Sequence, residues 1–138
     1  MAETLKTWWL TNGVVVEIID ESIQNSKDSW TIKLAVKGTI EIKTTYVDDF
    51  EEEPDYLEIL SMILPTAQYH RDIVKAGVKA KNIAAERTFL LDAFEKNALV
   101  YFEMEDFPER YVRKLYKELE KGLSAKRAIR KNNSEEFQ

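Results

Sequence analysis

Residues 30–43 read Trp30-Thr31-Ile32-Lys33-Leu34-Ala35-Val36-Lys37-Gly38-Thr39-Ile40-Glu41-Ile42-Lys43. The even positions are apolar apart from Gly38, and the odd positions are polar apart from Ala35. Successive side chains of a strand point to opposite faces, so this parity predicts one long β-strand with a dry side and a wet side. A two-residue turn at Lys37-Gly38 would pair Val36 with Thr39 and send Ile40 and Ile42 to the face opposite Trp30, Ile32 and Leu34. A three-residue loop would keep the parity and stays open. Within a continuous strand, Gly38 marks a bend, a bulge or a close approach.

Upstream, Leu5 to Thr11 is apolar and β-prone and contains Trp8 and Trp9. Asn12-Gly13 follows, the residue pair favoured in a two-residue type I′ hairpin loop. Val14 to Asp20 is the second predicted strand, with Val14, Val16 and Ile18 on one face and Val15, Glu17 and Ile19 on the other. Asp20 to Ser29 reads as a loop by composition. Downstream, Pro54 and Asp55 open a helix with Tyr56, Leu57, Leu60, Ile63 and Leu64 at helical spacing, and Pro65 stops it. Residues 66–80 read as irregular or partly helical, with Val74 and Val78 continuing a helical period that Gly77 interrupts. From Ala80 to Phe102 the pattern is helical, with Ile83, Ala84, Leu90, Leu91, Phe94, Ala98, Tyr101 and Phe102 forming an apolar face. Arg87 is the one polar residue at that spacing. Asp106 is a candidate N-cap for a last helix with Tyr111, Val112, Leu115, Tyr116 and Leu119 as its stripe and Gly122 at its C-terminal cap. Leu123 to Lys131 could add a further short basic helix.

Strands first and helices afterwards predict an α+β fold: about three N-terminal antiparallel strands covered on one face by about three C-terminal helices. At 138 residues the chain is one domain's worth. Within it, 5–44 is the sheet part, 45–55 an acidic linker, 56–131 the helical part and 132–138 a frayed tail.

Composition narrows the chemistry. The chain has no cysteine, which excludes disulfides, thiolate metal sites and cysteine nucleophiles. It also suits a reducing cytoplasm. Met1 to Thr7 has no uninterrupted apolar run, and no stretch approaches membrane-spanning length, so no signal peptide and no membrane span are expected. Net charge is −5, against nucleic acid as the main partner. The charge is unevenly spread. Asp48 to Glu58 carries seven acids and no base, whereas Arg110 to Lys131 carries nine bases against Glu118 and Glu120.

The acidic run lacks the spacing of a calcium-binding loop and reads as a solvated linker. His70, the single histidine, reads as a surface residue beside Arg71 and Asp72. The four glycines are too scattered for a phosphate-cradling loop, and no nucleophile elbow is present. Nothing singles out a carboxylate pair among 25 acids. No catalytic, cofactor-binding or metal-binding residue is expected.

Two sets of short motifs carry a resemblance. One is Asn12-Gly13, Glu17-Ile18, Asp20-x-Ser22 and Asp28-x-Trp30. The other is Glu86-Arg87-x-Phe89, Phe107-Pro108-x-Arg110-Tyr111-Val112 and Lys114-x-Tyr116. Together they resemble a family of short uncharacterised bacterial proteins. The resemblance implies no activity, cofactor or substrate.

What remains is binding. Adjacent tryptophans in a strand face opposite ways, so one of Trp8 and Trp9 packs inward and the other is a candidate interface anchor. Arg110, Arg113, Lys114, Lys117, Arg127 and Arg130 form a second candidate surface. Three uses are open: contact with a protein partner or a second copy; nucleic-acid binding, for which Tyr111 and Tyr116 would interleave with the bases; or attraction to the acidic linker, within one molecule or between two. A non-enzymatic cytoplasmic interaction protein leads. A small-molecule pocket between sheet and helices is the remaining alternative.

Overall fold

The computed structural model describes residues 2–136, with side chains as far as Arg130. Its elements are β1 (Glu3–Trp9), β2 (Val15–Asp20), β3 (Ile23–Ser26), β4 (Ser29–Glu41), α1 (Tyr56–Ile63), β5 (Thr66–Lys79), α2 (Ile83–Asn97), α3 (Leu99–Phe102) and α4 (Phe107–Glu136). The fold is α+β, an antiparallel sheet of five strands with four helices. The chain divides into two compact units, Met1–Glu41 with Gln68–Pro108 and Ile42–Ala67 with Glu109–Gln138.

In the first unit β4 is the strand that its alternation predicts. Ile32, Leu34, Val36, Gly38 and Ile40 are buried, while the odd positions except Ala35 are exposed or half-exposed. β2 pairs with β4 so that Val16 faces Gly38 and Ile18 faces Val36, which joins the buried residues of both strands into one dry face. The aromatic rings of α3 and β5 meet over Gly38. A Cβ built there would lie 3.2 Å from Tyr69 Cβ and 3.7 Å from Phe102, and those two rings stand edge-to-face at 5.0 Å. Gly38 therefore marks a close approach, not a turn. Phe94 of α2 and Phe102 of α3 are buried, with Phe94 lying 5.6 Å from Trp8.

The first hairpin differs from the predicted two-residue loop. Leu10 N–H donates to Val14 O (2.9 Å) and Gly13 N–H donates to Leu10 O (3.0 Å). Within this loop only Gly13 has positive φ, at 88°. This is a three-residue loop, a turn closed by a glycine in the left-handed region. Asn12 is freed to work as a fastener. Its Nδ2 donates to Phe102 O (2.6 Å) and Met104 O (2.9 Å), and its Oδ1 accepts from Val14 N–H (3.1 Å).

Two stretches read as non-strand are strands. Ile23–Ser26 is β3, and it pairs with β4 in the register that β2 uses: Val15 faces Thr39 and Ile23 faces Thr31. Glu21 N–H to Lys33 O (2.8 Å) and Lys33 N–H to Ser22 Oγ (3.1 Å) bridge the gap between them. The hydrophilic composition of residues 20–29 concealed this, because β3 is exposed throughout. Residues 66–79 are β5, not irregular or helical, and β5 pairs with β4. Val74 and Val78, four apart, fit two strand repeats as well as one helical turn. The alternation is also out of phase along β5. Ala67, Tyr69 and Ile73 are its covered residues early on and Val78 later, with Gly77 (φ 70°) between. A kink of that kind shifts the inward parity.

The helical stretch from Ala80 to Phe102 is broken. A 3₁₀ turn, Ala80–Asn82, precedes α2, and the chain bends at Ala98 before α3. That bend turns Leu99 and Phe102 inward and Tyr101 outward, so Tyr101 leaves the expected apolar face.

In the second unit, α1 buries Ile59 and Ile63, half-buries Tyr56 and Leu60, and leaves Leu57 and Leu64 exposed. Apolar residues occupy two adjacent stripes of this helix, and packing chose the one through Ile59. The acidic stretch is more than a connector. It holds two 3₁₀ turns, Thr44–Tyr46 and Asp48–Phe50, and it buries Val47 and Phe50. α4 starts directly after Asp106 with Pro108 in its first turn, as expected for an N-cap and an early proline. It buries Val112 and Tyr116 and half-buries Tyr111, Leu115 and Leu119. Gly122 does not cap it. The helix runs on to Glu136, so the separate basic helix is a continuation of α4, and the expected frayed tail is helical to that residue. The last two residues of that tail lie outside the described residues.

Candidate functional site

The sheet decides which tryptophan faces out. Trp8 pairs with Val16 and Trp9 with Val15, so Trp8 joins the dry face and Trp9 the opposite one. A two-residue loop would have shifted the register by one and exchanged the two rings. Trp8 is further held by Lys6, whose Nζ lies 5.1 Å from its ring and donates to Glu95 at 2.8 Å. That hydrogen bond from Lys6 holds the Glu95 carboxyl below its ordinary value. Trp8 is thus a packing residue and leaves the candidate interface. Trp9 is 76% exposed on β1, which pairs with β2 at one end of the strand order. Its face also carries half-buried Val15 and Ile19, exposed Ile23, and a polar row in which Thr39 Oγ donates to Gln68 Oε1 (3.3 Å).

His70 is exposed on β5, two residues from Asp72. Residues i and i+2 of a strand share a side, and a 2.9 Å hydrogen bond joins His70 Nε2 to Asp72 Oδ1. Lys33 Nζ stands 3.9 Å from the other Asp72 oxygen. This is a surface ion cluster, in keeping with the surface role read for His70. Among the described residues no group of three or more His, Asp or Glu side chains could hold a metal ion. Among them, too, no helix is long and apolar enough to cross a membrane.

The basic residues of α4 resolve into a different pattern. Arg113, Lys117, Glu120 and Arg127 recur at i, i+4, i+7 and i+14, which is one helix face. Arg113 grips Asp49 with both terminal nitrogens (2.7 and 2.9 Å) and donates to Tyr46 O (3.0 Å). Lys117 Nζ lies 3.6 Å from Glu53 and 3.5 Å from Glu120. Arg127 pairs with Asp55, the one charged side chain buried among the described residues. Between these ion pairs Phe50 is clasped. It stacks on Tyr116 at 4.6 Å, with Arg113 and Lys117 4.5 and 4.3 Å from its ring centroid. The attraction between acidic stretch and basic helix expected from sequence is therefore realised within one molecule. Three of the candidate interface cations, Arg113, Lys117 and Arg127, already face carboxylates. Lys114 and Arg130 are exposed, as is Arg110; the Lys131 side chain lies outside the described residues.

This clasp contains what sequence reading missed, a pair of carboxyls that interact. Glu53 and Glu120 share a hydrogen bond, which holds Glu53 below and Glu120 above the ordinary glutamate value. Tyr116 Oη donates to Glu53 at 3.3 Å, and burial followed by the Glu53 charge pushes its phenol up to about 12. The hydrogen bond from Arg113 holds Asp49 below its ordinary value. The available signal was Glu120's place on the face shared by Arg113, Tyr116 and Lys117, one of only two acids in the basic run.

Compared with known proteins, the chain matches no family model, and none of the curated proteins or solved structures is significantly similar to it. Several residues of the quoted motifs make contacts within the first unit. Asp20 binds Arg87, the polar residue of the expected apolar face, and accepts from Ser22 N–H (3.0 Å). Burial opposes ionisation of Asp20, but the bonds from Ser22 and then Arg87 outweigh it, so its carboxyl lies below the ordinary value. Glu86 accepts from Lys75 at 2.6 Å. Asn12 fastens the first hairpin to the end of α3. These positions serve packing and register.

Proposed function

We propose that the chain is a non-enzymatic, cytoplasmic protein-interaction domain, and that Trp9 anchors its contact with a protein partner. The observation that carries this reading is the 76% exposure of Trp9 on an outer strand, while its neighbour Trp8 is half-buried beside Phe94. A tryptophan offers about 150–250 Å² of contact surface, of order 4 kcal/mol gross when covered. Exposed tryptophans of this kind are where binding energy concentrates. Half-buried Val15, its cross-strand partner, extends the apolar contact, and the Glu17 and Lys37 pair supplies a polar surround. The neutralised cations of α4 weigh against nucleic acid, because a phosphate backbone would have to displace Asp49, Glu53 and Asp55 first.

The test places a photo-crosslinking amino acid at position 9 in the native cells. The expected result is a discrete crosslinked protein that no longer co-purifies with a Trp9→Ser variant of unchanged stability. An identical set of co-purifying proteins for wild type and variant removes Trp9 from the reading.

A further inference from the structure

Between Ser124 and Arg130, α4 is exposed on every side. Ser124 to Arg130 are all exposed, nearly two helical turns. The stripe that holds Val112, Tyr116, Leu119 and Leu123 continues at helical spacing into Lys126, Arg127 and Arg130. The face that meets the core along the first half of the helix is thus cationic from Lys126 to Arg130. Ile129, 60% exposed, flanks it. Arg127 shows what this face accepts, since it pairs with the Asp55 carboxylate.

The same unit carries the opposite surface. Glu51, Glu52 and Glu58 are exposed around the start of α1, with Leu57 exposed beside them. Acidic stretch and basic helix already recognise each other in cis through three ion pairs, Asp49–Arg113, Glu53–Lys117 and Asp55–Arg127. Lys126 and Arg130 on one side and Glu51, Glu52 and Glu58 on the other repeat that chemistry on surfaces open to solvent. We infer that the partner of this surface is a second copy of the chain. The Lys126–Arg130 turn of each protomer lies on the Glu51–Glu58 segment of the other. A two-fold contact of this kind satisfies both patches at once, which an isolated acidic or basic partner would not do. The inference rests on the reading of the chain as an interaction protein but uses a surface that does not include Trp9.

Sedimentation of the full chain tests it. Wild type is expected to be dimeric at low salt and to dissociate at about 0.5 M salt, where charges are screened within a few Å. Lys126→Glu/Arg130→Glu and Glu51→Lys/Glu52→Lys are each expected to weaken self-association at least tenfold. An equimolar mixture of the two should restore a dimer, because each interface is then again of opposite charge. A misfolded variant could not give that restoration. A monomeric wild type at about 100 µM and low salt overturns the inference, as does a dimer unaffected by both charge reversals. Loss of the dimer in Trp9→Ser alone also overturns it, and transfers self-association to the sheet surface. Failure to crosslink at position 9 with the charge-swap restoration intact leaves this inference standing and the Trp9 reading refuted. A monomer that binds anionic vesicles or heparin through Lys126 and Arg130 overturns it in favour of a polyanion.

Discussion

The dry face of the sheet and the clasp of α4 are held by different physics. In the first unit, Val16, Ile18, Ile32, Leu34, Val36 and Ile40 meet as aliphatic neighbours with no charge among them. In the second, a ring and three ion pairs alternate along one helix, and the apolar anchors Val47 and Phe50 are spaced among acids. Burial of aliphatic surface does not titrate and is not weakened by charge screening, whereas the exposed pairs are worth little singly and are screened. The sheet should therefore set the stability of its unit, and the clasp should make its own unit responsive to solution conditions.

The largest expected effect breaks the first half of that comparison. Leu34→Ala removes a fully buried side chain from the middle of β4, and should cost about 2–5 kcal/mol in urea unfolding. Loss of protection in hydrogen exchange should be concentrated in β2, β4 and β5. A cost under about 1 kcal/mol would mean that the dry face is not the core of this unit. Gly38→Ala is next. The added methyl meets Tyr69 Cβ at 3.2 Å, an atom fixed to the β5 backbone, and Phe102 at 3.7 Å. Neither can withdraw freely, so the substitution should cost about 1–3 kcal/mol, detected as a lower unfolding midpoint at unchanged slope.

These two positions also mark where sequence reading succeeds. The parity of residues 30–42 is a local signal of period two, and a sheet honours it whatever its partners are. Parity favoured a strand running through Gly38, but a bend, a bulge and a close approach stayed open there until the contacts with Tyr69 and Phe102 decided. What was hidden depended on neighbours far along the chain. β3 is polar because both its faces are open, and β5 loses its alternation at Gly77. Arg113 and Asp49 are 64 residues apart, and Arg127 and Asp55 are 72 apart. Segregation of charge announced that such pairs could form, but not which residues would meet. The choice between Trp8 and Trp9 was hidden by a single residue of loop length, since Asn12-Gly13 suits both a two-residue and a three-residue turn.

The pH response sharpens the other half of the comparison. Tyr116 has a phenol raised from 10.0 to about 12 in the folded chain. A raised folded pKa means that its contribution is complete below the unfolded value and disappears as pH climbs from about 10 to about 12. Tyr116→Phe keeps the ring on Phe50 but removes both the titration and the hydrogen bond to Glu53. It should cost about 1 kcal/mol at neutral pH and flatten the alkaline loss of stability in the second unit. On the acid side, Asp49 behaves oppositely. Its lowered value gives stability that is present above the ordinary carboxylate range and lost as pH falls through the folded value. An alkaline limb unchanged in Tyr116→Phe would assign the loss to another group.

The smallest expected effect has the opposite sign. Gly122 sits inside α4, twelve or more residues from either end of a helix running from Phe107 to Glu136, where a cap had been expected. Its φ is not in the left-handed region, and a Cβ built on it meets nothing within 4 Å. An interior glycine costs a helix about 0.5–1 kcal/mol relative to alanine, chiefly by the freedom it retains when unfolded. Gly122→Ala should accordingly raise stability by that amount and raise helical ellipticity slightly, with no change in the pairing of Arg113, Lys117 or Arg127. If Gly122 instead ended one helix and began another, alanine there would be neutral or destabilising. The sign of this substitution, read by urea unfolding followed at 222 nm, therefore decides whether the cationic turn around Arg130 is carried rigidly by α4. A stabilised Gly122→Ala with undiminished self-association would show that the turn needs no hinge to reach its partner.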